Sequence, residues 1–246
     1  MSEHRFDTPG PVRLELKLAA GDIRVVTVDG SESTVTLEGP ARVVEDARVE
    51  LIGDRLIVTE VRKGFMGIFA GMSEPLHVRV QIPHRSHVDA TTASADLQLD
   101  GTFAGASMTS ASGDLELVGE LEGDADIKTA SGSVRVPHVG GSLRVKSVSG
   151  DVRAVVVDGS VSVKSVSGDL DVGSVREGKV DVHSVSGDVV IGVASGSSID
   201  VDAGSASGDL SSEIPLKGDE PESAGGPVVV IRVNTVSGDL RVRRAA

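Results

Sequence analysis

The chain has 246 residues, 39% of them hydrophobic, yet contains no Trp, no Tyr and only four Phe; its core must be filled by Val, Leu, Ile and Ala, which suits thin layers of β-branched side chains. A net charge of −13 argues against nucleic acid and anionic membranes as general partners, because both need cationic surface. Zero Cys excludes disulfides and thiolate metal sites, and thirty Gly against nine Pro indicate many turns rather than a disordered proline-rich chain.

The first residues, MSEHRFDTPGPVRLELKL, lack the basic start and apolar run of a secretory signal. No stretch approaches the ~18 apolar residues needed to cross a bilayer, so the expectation is a soluble cytoplasmic protein. Residues 1–87 hold alternating stretches, VRLELKL, STVTLEG, RVELIG, RLIVTEV and LHVRVQI. They predict longer strands, some antiparallel, forming an N-terminal β cap with irregular first coils. Gly21-Asp22-Ile23-Arg24-Val25 within them reads as a degenerate copy of the Ser-Gly-Asp repeats in the rest of the chain.

KGFMGIFAGM, residues 63–72, gathers two of the four Phe and two of the four Met beside three Gly. One reading is a loop folded onto the core of the cap. The other is a contact loop in which Phe65, Met66, Ile68, Phe69 and Met72 meet a protein partner or a membrane, since Met and Phe clusters are common at such surfaces.

From residue 88 to 244 the chain repeats. With the Asp of each Ser-Gly-Asp as position zero, the marks fall at Asp96, Asp114, Ser133, Asp151, Asp169, Asp188, Asp209 and Asp239, at intervals of 18, 19, 18, 18, 19, 21 and 30. A fixed period near 18 is the signature of a stacked array. Apolar residues recur at +1 and +3 (Val152 and Ala154, Leu170 and Val172) and at −8 and −6 (Leu143 and Val145, Val161 and Val163). This period-two alternation is strand and not helix. A third apolar mark at +6, Val139, Val157 and Val175, completes three short segments per coil. The predicted fold is all-β: a narrow parallel β-solenoid of about eight coils, each lying on the next at the strand spacing of ~4.8 Å. Residues 211–227 interrupt the last coil and read as an acidic surface loop; three arginines in the closing LRVRRAA either blunt edge pairing or make a contact.

The units TSASGDLEL, KSVSGDVRA, KSVSGDLDV, HSVSGDVVI and NTVSGDLRV, with the GDIRV start, resemble the bacterial β-strand-repeat family known as "putative adhesin", a domain of unknown function. The resemblance implies a right-handed single-stranded β-helix without established catalytic activity.

The chemistry is sparse. The Asp column is tolerable as a solvated ladder, and the glycine-rich nonapeptide of calcium-binding β-rolls is absent, so no metal and no cofactor are expected. The six His show no HExxH spacing, and no nucleophile elbow, P-loop or dinucleotide fingerprint appears; the chain reads as no enzyme. At −5, Lys128, Lys146, Lys164 and His183 form a cationic stripe, to which Arg135 and Arg153 at +2 add if adjacent faces meet. The residues therefore point to a scaffold or protein-interaction module, self-association included, or alternatively to a surface adhesin that binds glycan or cell-envelope components.

Overall fold

Alternation of apolar and polar residues is expressed as a β-solenoid built almost wholly of strands. The computed structural model describes residues 1–60, 75–214 and 227–245; the hypothetical contact loop with Phe65, Met66, Ile68, Phe69 and Met72 lies outside them, as does 215–226 of the acidic excursion. Two compact units divide the chain at Glu122 and Gly123. No helix among the described residues is long and apolar enough to cross a membrane.

In the first unit, β1 (Ser2–Asp7), β2 (Arg13–Val28), β3 (Glu32–Glu38), a short α1 (Ala41–Asp46), β4 (Ala47–Ile52), β5 (Arg55–Glu60), β6 (Leu76–Pro83), β7 (Ser86–Ser112) and β8 (Leu115–Leu121) follow in order. Among the described residues, antiparallel pairing is confined to β1 with β3, β3 with β6 and β4 with β5. VRLELKL, RLIVTEV and LHVRVQI instead belong to the parallel stack: β2 pairs in register with β5 and β6 on one side and with β7 on the other. The reason is visible in β2 itself. Leu14, Leu16, Ile23 and Val25 are buried alternately on one side, in phase with Val88, Ala90, Leu97 and Leu99 of β7. Phe103 is fully buried, the largest side chain in the core.

The second unit holds two walls. One runs through β9 (Ala125–Ser131), β11 (Leu143–Ser149), β13 (Val161–Lys164) and β15 (Gly178–His183); the other runs through β10 (Val134–Val139), β12 (Val152–Val157), β14 (Leu170–Val175) and β16 (Val189–Val193). All neighbours are parallel, with Val145 facing Ile127 and Val163, and Val163 facing Val182. The +6 mark is not a separate strand. Val139, Val157 and Val175 are buried at the ends of β10, β12 and β14. In β12 the alternation slips at Val155 and Val156, which gives the third side of the coil without a break in the strand.

The last coils depart from sequence order. β17 (Ser198–Ser207) and β18 (Leu210–Ser212) do not stack on β15 and β16. β19 (Val228–Ser237) and β20 (Leu240–Arg244) lie there instead, with β19 between β15 and β17 and β20 between β16 and β18. The 21- and 30-residue intervals mark this fold-back. The arginine-rich final strand is therefore paired on both sides and does not form the free end: Arg241 pairs with Glu213, Arg243 lies 3.6 Å from Asp171, and Arg244 donates to the carbonyls of Ala194 and Ser197.

Candidate interaction face

The Ser-Gly-Asp corners come first, because they aim everything else. At Gly168 the chain turns with φ 121°, and a Cβ there would collide with the carbonyl oxygen of Gly150 in the neighbouring coil. Only glycine meets both demands. The following Asp locks the stack. The backbone N–H of Asp169 donates to Oδ1 of Asp151 at 3.0 Å, and that of Asp188 donates to Asp169 at 2.9 Å. At −4 the Ser165 and Ser184 hydroxyls donate to the carbonyls two residues on, of Ser167 and Ser186, both at 3.1 Å. They close their own corners, whereas Thr92 and Ser110, also at −4, bond each other across neighbouring coils at 3.1 Å.

With −8, −6 and −4 turned inward, parity turns −7, −5 and −3 outward. In the second unit the −3 positions of four stacked coils are Val148, Val166, Val185 and Val236, exposed by 53%, 50%, 49% and 55%. They are neighbours in space: Ser149, Ser167, Ser186 and Ser237, one residue later, are linked by parallel bridges. The inserted coil matters here, because it brings Val236 beside Val185 and moves Ala206 to the end. Beside this apolar row runs the −5 row, where Lys128, Lys146, Lys164 and His183 face one another in register and all are exposed. On its other side lies the exposed corner row of Asp151, Asp169, Asp188 and Asp239. In the four valine coils the −5 residues are Lys146, Lys164, His183 and Asn234, so the result is a ribbon of three parallel rows, with lysine in two coils on one side, valine in the middle and aspartate on the other side.

The −7 row is mixed, and there the inserted coil is electrostatically placed. Arg232 sits in register between Asp181 and Asp202. A hydrogen bond from Lys179 at 2.6 Å, helped by the charges of Lys179, His183 and Arg232, holds the Asp181 carboxyl below its ordinary value.

Arg135 and Arg153 do not join the lysine stripe. They stand on β10 and β12, around a shallow hollow with Ser133, Asp151, Asp169 and Asp171, and Arg153 lies 3.7 Å from Asp171. No three His, Asp or Glu side chains are grouped to hold a metal among the described residues. The valine row was missed at the sequence level, although its signal was there: in KSVSGD and HSVSGD an apolar residue occupies an outward position of the alternation.

A family profile, Toastrack DUF4097, matches residues 12–243. No curated protein matches the sequence. Among solved structures, a "putative lipid binding protein" from Parabacteroides distasonis ATCC 8503 aligns with 100% of this chain and 96% of its own at 12% identity and a TM-score of 0.58, which shows a common fold. A "putative adhesin" from Bacteroides fragilis NCTC 9343 covers 98% of this chain and 96% of its own, at 15% identity and a TM-score of 0.43.

Proposed function

We propose that this chain, which belongs to the Toastrack DUF4097 family, is a non-enzymatic β-solenoid scaffold whose three-row ribbon is a protein-interaction face. The observation that carries this reading is the row of Val148, Val166, Val185 and Val236, each about half exposed and stacked in four contiguous coils. A single exposed Val needs no explanation. Four in contiguous coils do, because a continuous apolar row on a soluble surface marks a contact. The fold does not need them: the inward residues of the same coils, Val145, Val163, Val182 and Val233, already fill the core.

A photo-crosslinking residue placed at Val166, and separately at Val155 on the other wall, tests this in the native cell. Val155 is 53% exposed, so exposure alone does not distinguish the two sites. The reading predicts discrete protein adducts at 166 and few at 155. Equal labelling at both, or none at 166, overturns it.

A further inference from the structure

The order of the three rows specifies more than a generic contact, and this step rests on the ribbon being an interaction face. Across the ribbon the order is Lys, Val, Asp in two of the four coils, Lys146, Val148 and Asp151, then Lys164, Val166 and Asp169; the other two read His183, Val185 and Asp188, and Asn234, Val236 and Asp239. The apolar row is central, with opposite charges on its two sides. Such a ribbon is complementary to itself under one operation only. A two-fold axis parallel to the stacking direction exchanges left and right, so the lysine row of one copy meets the aspartate row of the other while valine meets valine. A two-fold across the ribbon would put lysine on lysine.

From this symmetry we infer that the ribbon is the contact between two copies of this chain, aligned side by side with their stacks parallel. Lys146 faces Asp151 of the second copy, Lys164 faces its Asp169, and Val166 faces its own counterpart. Spacing supports the same occupant. Rows stepped at ~4.8 Å find matching rows only on another parallel stack, so the register that sets one valine on its counterpart sets all four, with lysine against aspartate in two of the coils. Neither Lys146 nor Lys164 has an ion pair within the chain among the described residues, whereas Lys128 and Lys179 each reach an aspartate. The Asp151 and Asp169 carboxylates each accept the next corner's N–H on one oxygen, are exposed, and form no ion pair among the described residues.

The expected affinity is low. Four coils by the five residue steps from −5 to 0 cover roughly 300 Å² per copy at ordinary strand dimensions. A stable interface buries about 800 Å² on each side. The contact therefore forms in the range of tens of micromolar to millimolar unless other copies or partners add to it, and it weakens with salt because the flanking rows are solvated.

Self-facing geometry gives a direct test. Val166→Lys and Val166→Glu are both outward changes that leave the core and the corners untouched. Each alone sets like charges against each other across the axis, and a mixture sets unlike charges together. Sedimentation equilibrium from about 10 µM to about 1 mM, the range set by the small contact area, should show the wild type associating, each variant monomeric, and an equimolar mixture recovering heterodimer. Lys146→Glu/Lys164→Glu should weaken wild-type association at least about tenfold, as loss of the flanking charge pairs requires, with an unchanged melting curve. A wild type that stays monomeric at the highest concentration, or a mixture that behaves as its components, overturns the dimer. Discrete adducts at 166 to a different protein would then leave the interaction face standing with another occupant.

Discussion

The backbone N–H of Asp239 donates to the carboxylate of Asp188 at 3.0 Å, across 51 residues of sequence, and the N–H of Asp209 donates in turn to Asp239 at 2.8 Å. The coil that comes last in the chain is thus next to last in the stack. Its apolar content explains the exchange. Val229, Ile231, Val233, Leu240 and Val242 are all buried. At the equivalent positions the displaced coil offers Ile199, Val201, Ala203, Leu210 and Ser212, with alanine and serine where the sandwiched coil has valine, and Leu210 remains 49% exposed at the open end. The richer coil is sandwiched and the poorer one accepts the solvent. Charge favours the same order, since Arg232 separates Asp181 from Asp202.

Arg232→Asp should therefore destabilise the end of the second unit. Two opposite-charge neighbours become two like-charge neighbours, at about 0.2–1 kcal/mol each, for a loss of roughly 1–2 kcal/mol in urea unfolding. Hydrogen exchange should show residues 198–212 losing protection before the rest. Uniform protection across the unit would show that Arg232 does not hold this order.

Asp181 supplies a pH signature of the same cluster. Its folded-state carboxyl lies below the ordinary value of 3.8, chiefly through the Lys179 hydrogen bond. A depressed carboxylate stabilises the fold above the unfolded-state value and loses that contribution as pH falls through the folded one. Stability should thus drop below about pH 4 more steeply in the wild type than in Asp181→Asn, as measured by thermal melts from about pH 6 to about pH 2.5. Parallel curves would contradict the assignment.

Two glycines separate space from conformation. A Cβ on Gly192 would collide with the carbonyl oxygen of Gly173, whereas one on Gly204 meets nothing within 4 Å, and neither residue needs a left-handed backbone. Gly192→Ala should cost about 3 kcal/mol by forcing two coils apart. Gly204→Ala should be neutral or gain about 0.5 kcal/mol from the unfolded state. Denaturant midpoints of the two variants provide the comparison.

Val163 and Val166 make the equivalent contrast for the core. Val163 is 1% exposed and Val166 is 50% exposed. Val163→Asp places an unpaired charge in a thin core and should abolish cooperative folding of the second unit. Val166→Asp should shift its melting temperature by less than a few degrees.

The solenoid is legible in the sequence because stacking requires the same residue type at the same position in every coil. Val145, Val163 and Val182 announce both the period and the inward face. Coil order is less legible. Nothing local distinguishes Asp209 from Asp239, since both open Gly-Asp-Leu corners; only the pairing of entire coils decides which lies inside. The first unit hides its parallel strands for a related reason. Leu14 and Leu16 alternate as an antiparallel strand would, and their parallel partners on β5 and β7 are 42 and 74 residues away in the chain. The valine row is masked by the Ser, Gly and Asp around each valine, although parity alone assigns Val148 and Val166 to the outside.

The most direct test uses the absence of cysteine from the chain. Nitroxide labels on Val148→Cys, and separately on Val236→Cys, report intermolecular distances at two points three coil steps apart, roughly 14 Å along the stack. Two copies aligned side by side about an axis parallel to the stack give the same short label-to-label distance at both positions. Dipolar signals that are absent at high protein concentration, or distances that differ between 148 and 236 by more than about 10 Å, two coil steps, would contradict the ribbon as the contact between two copies.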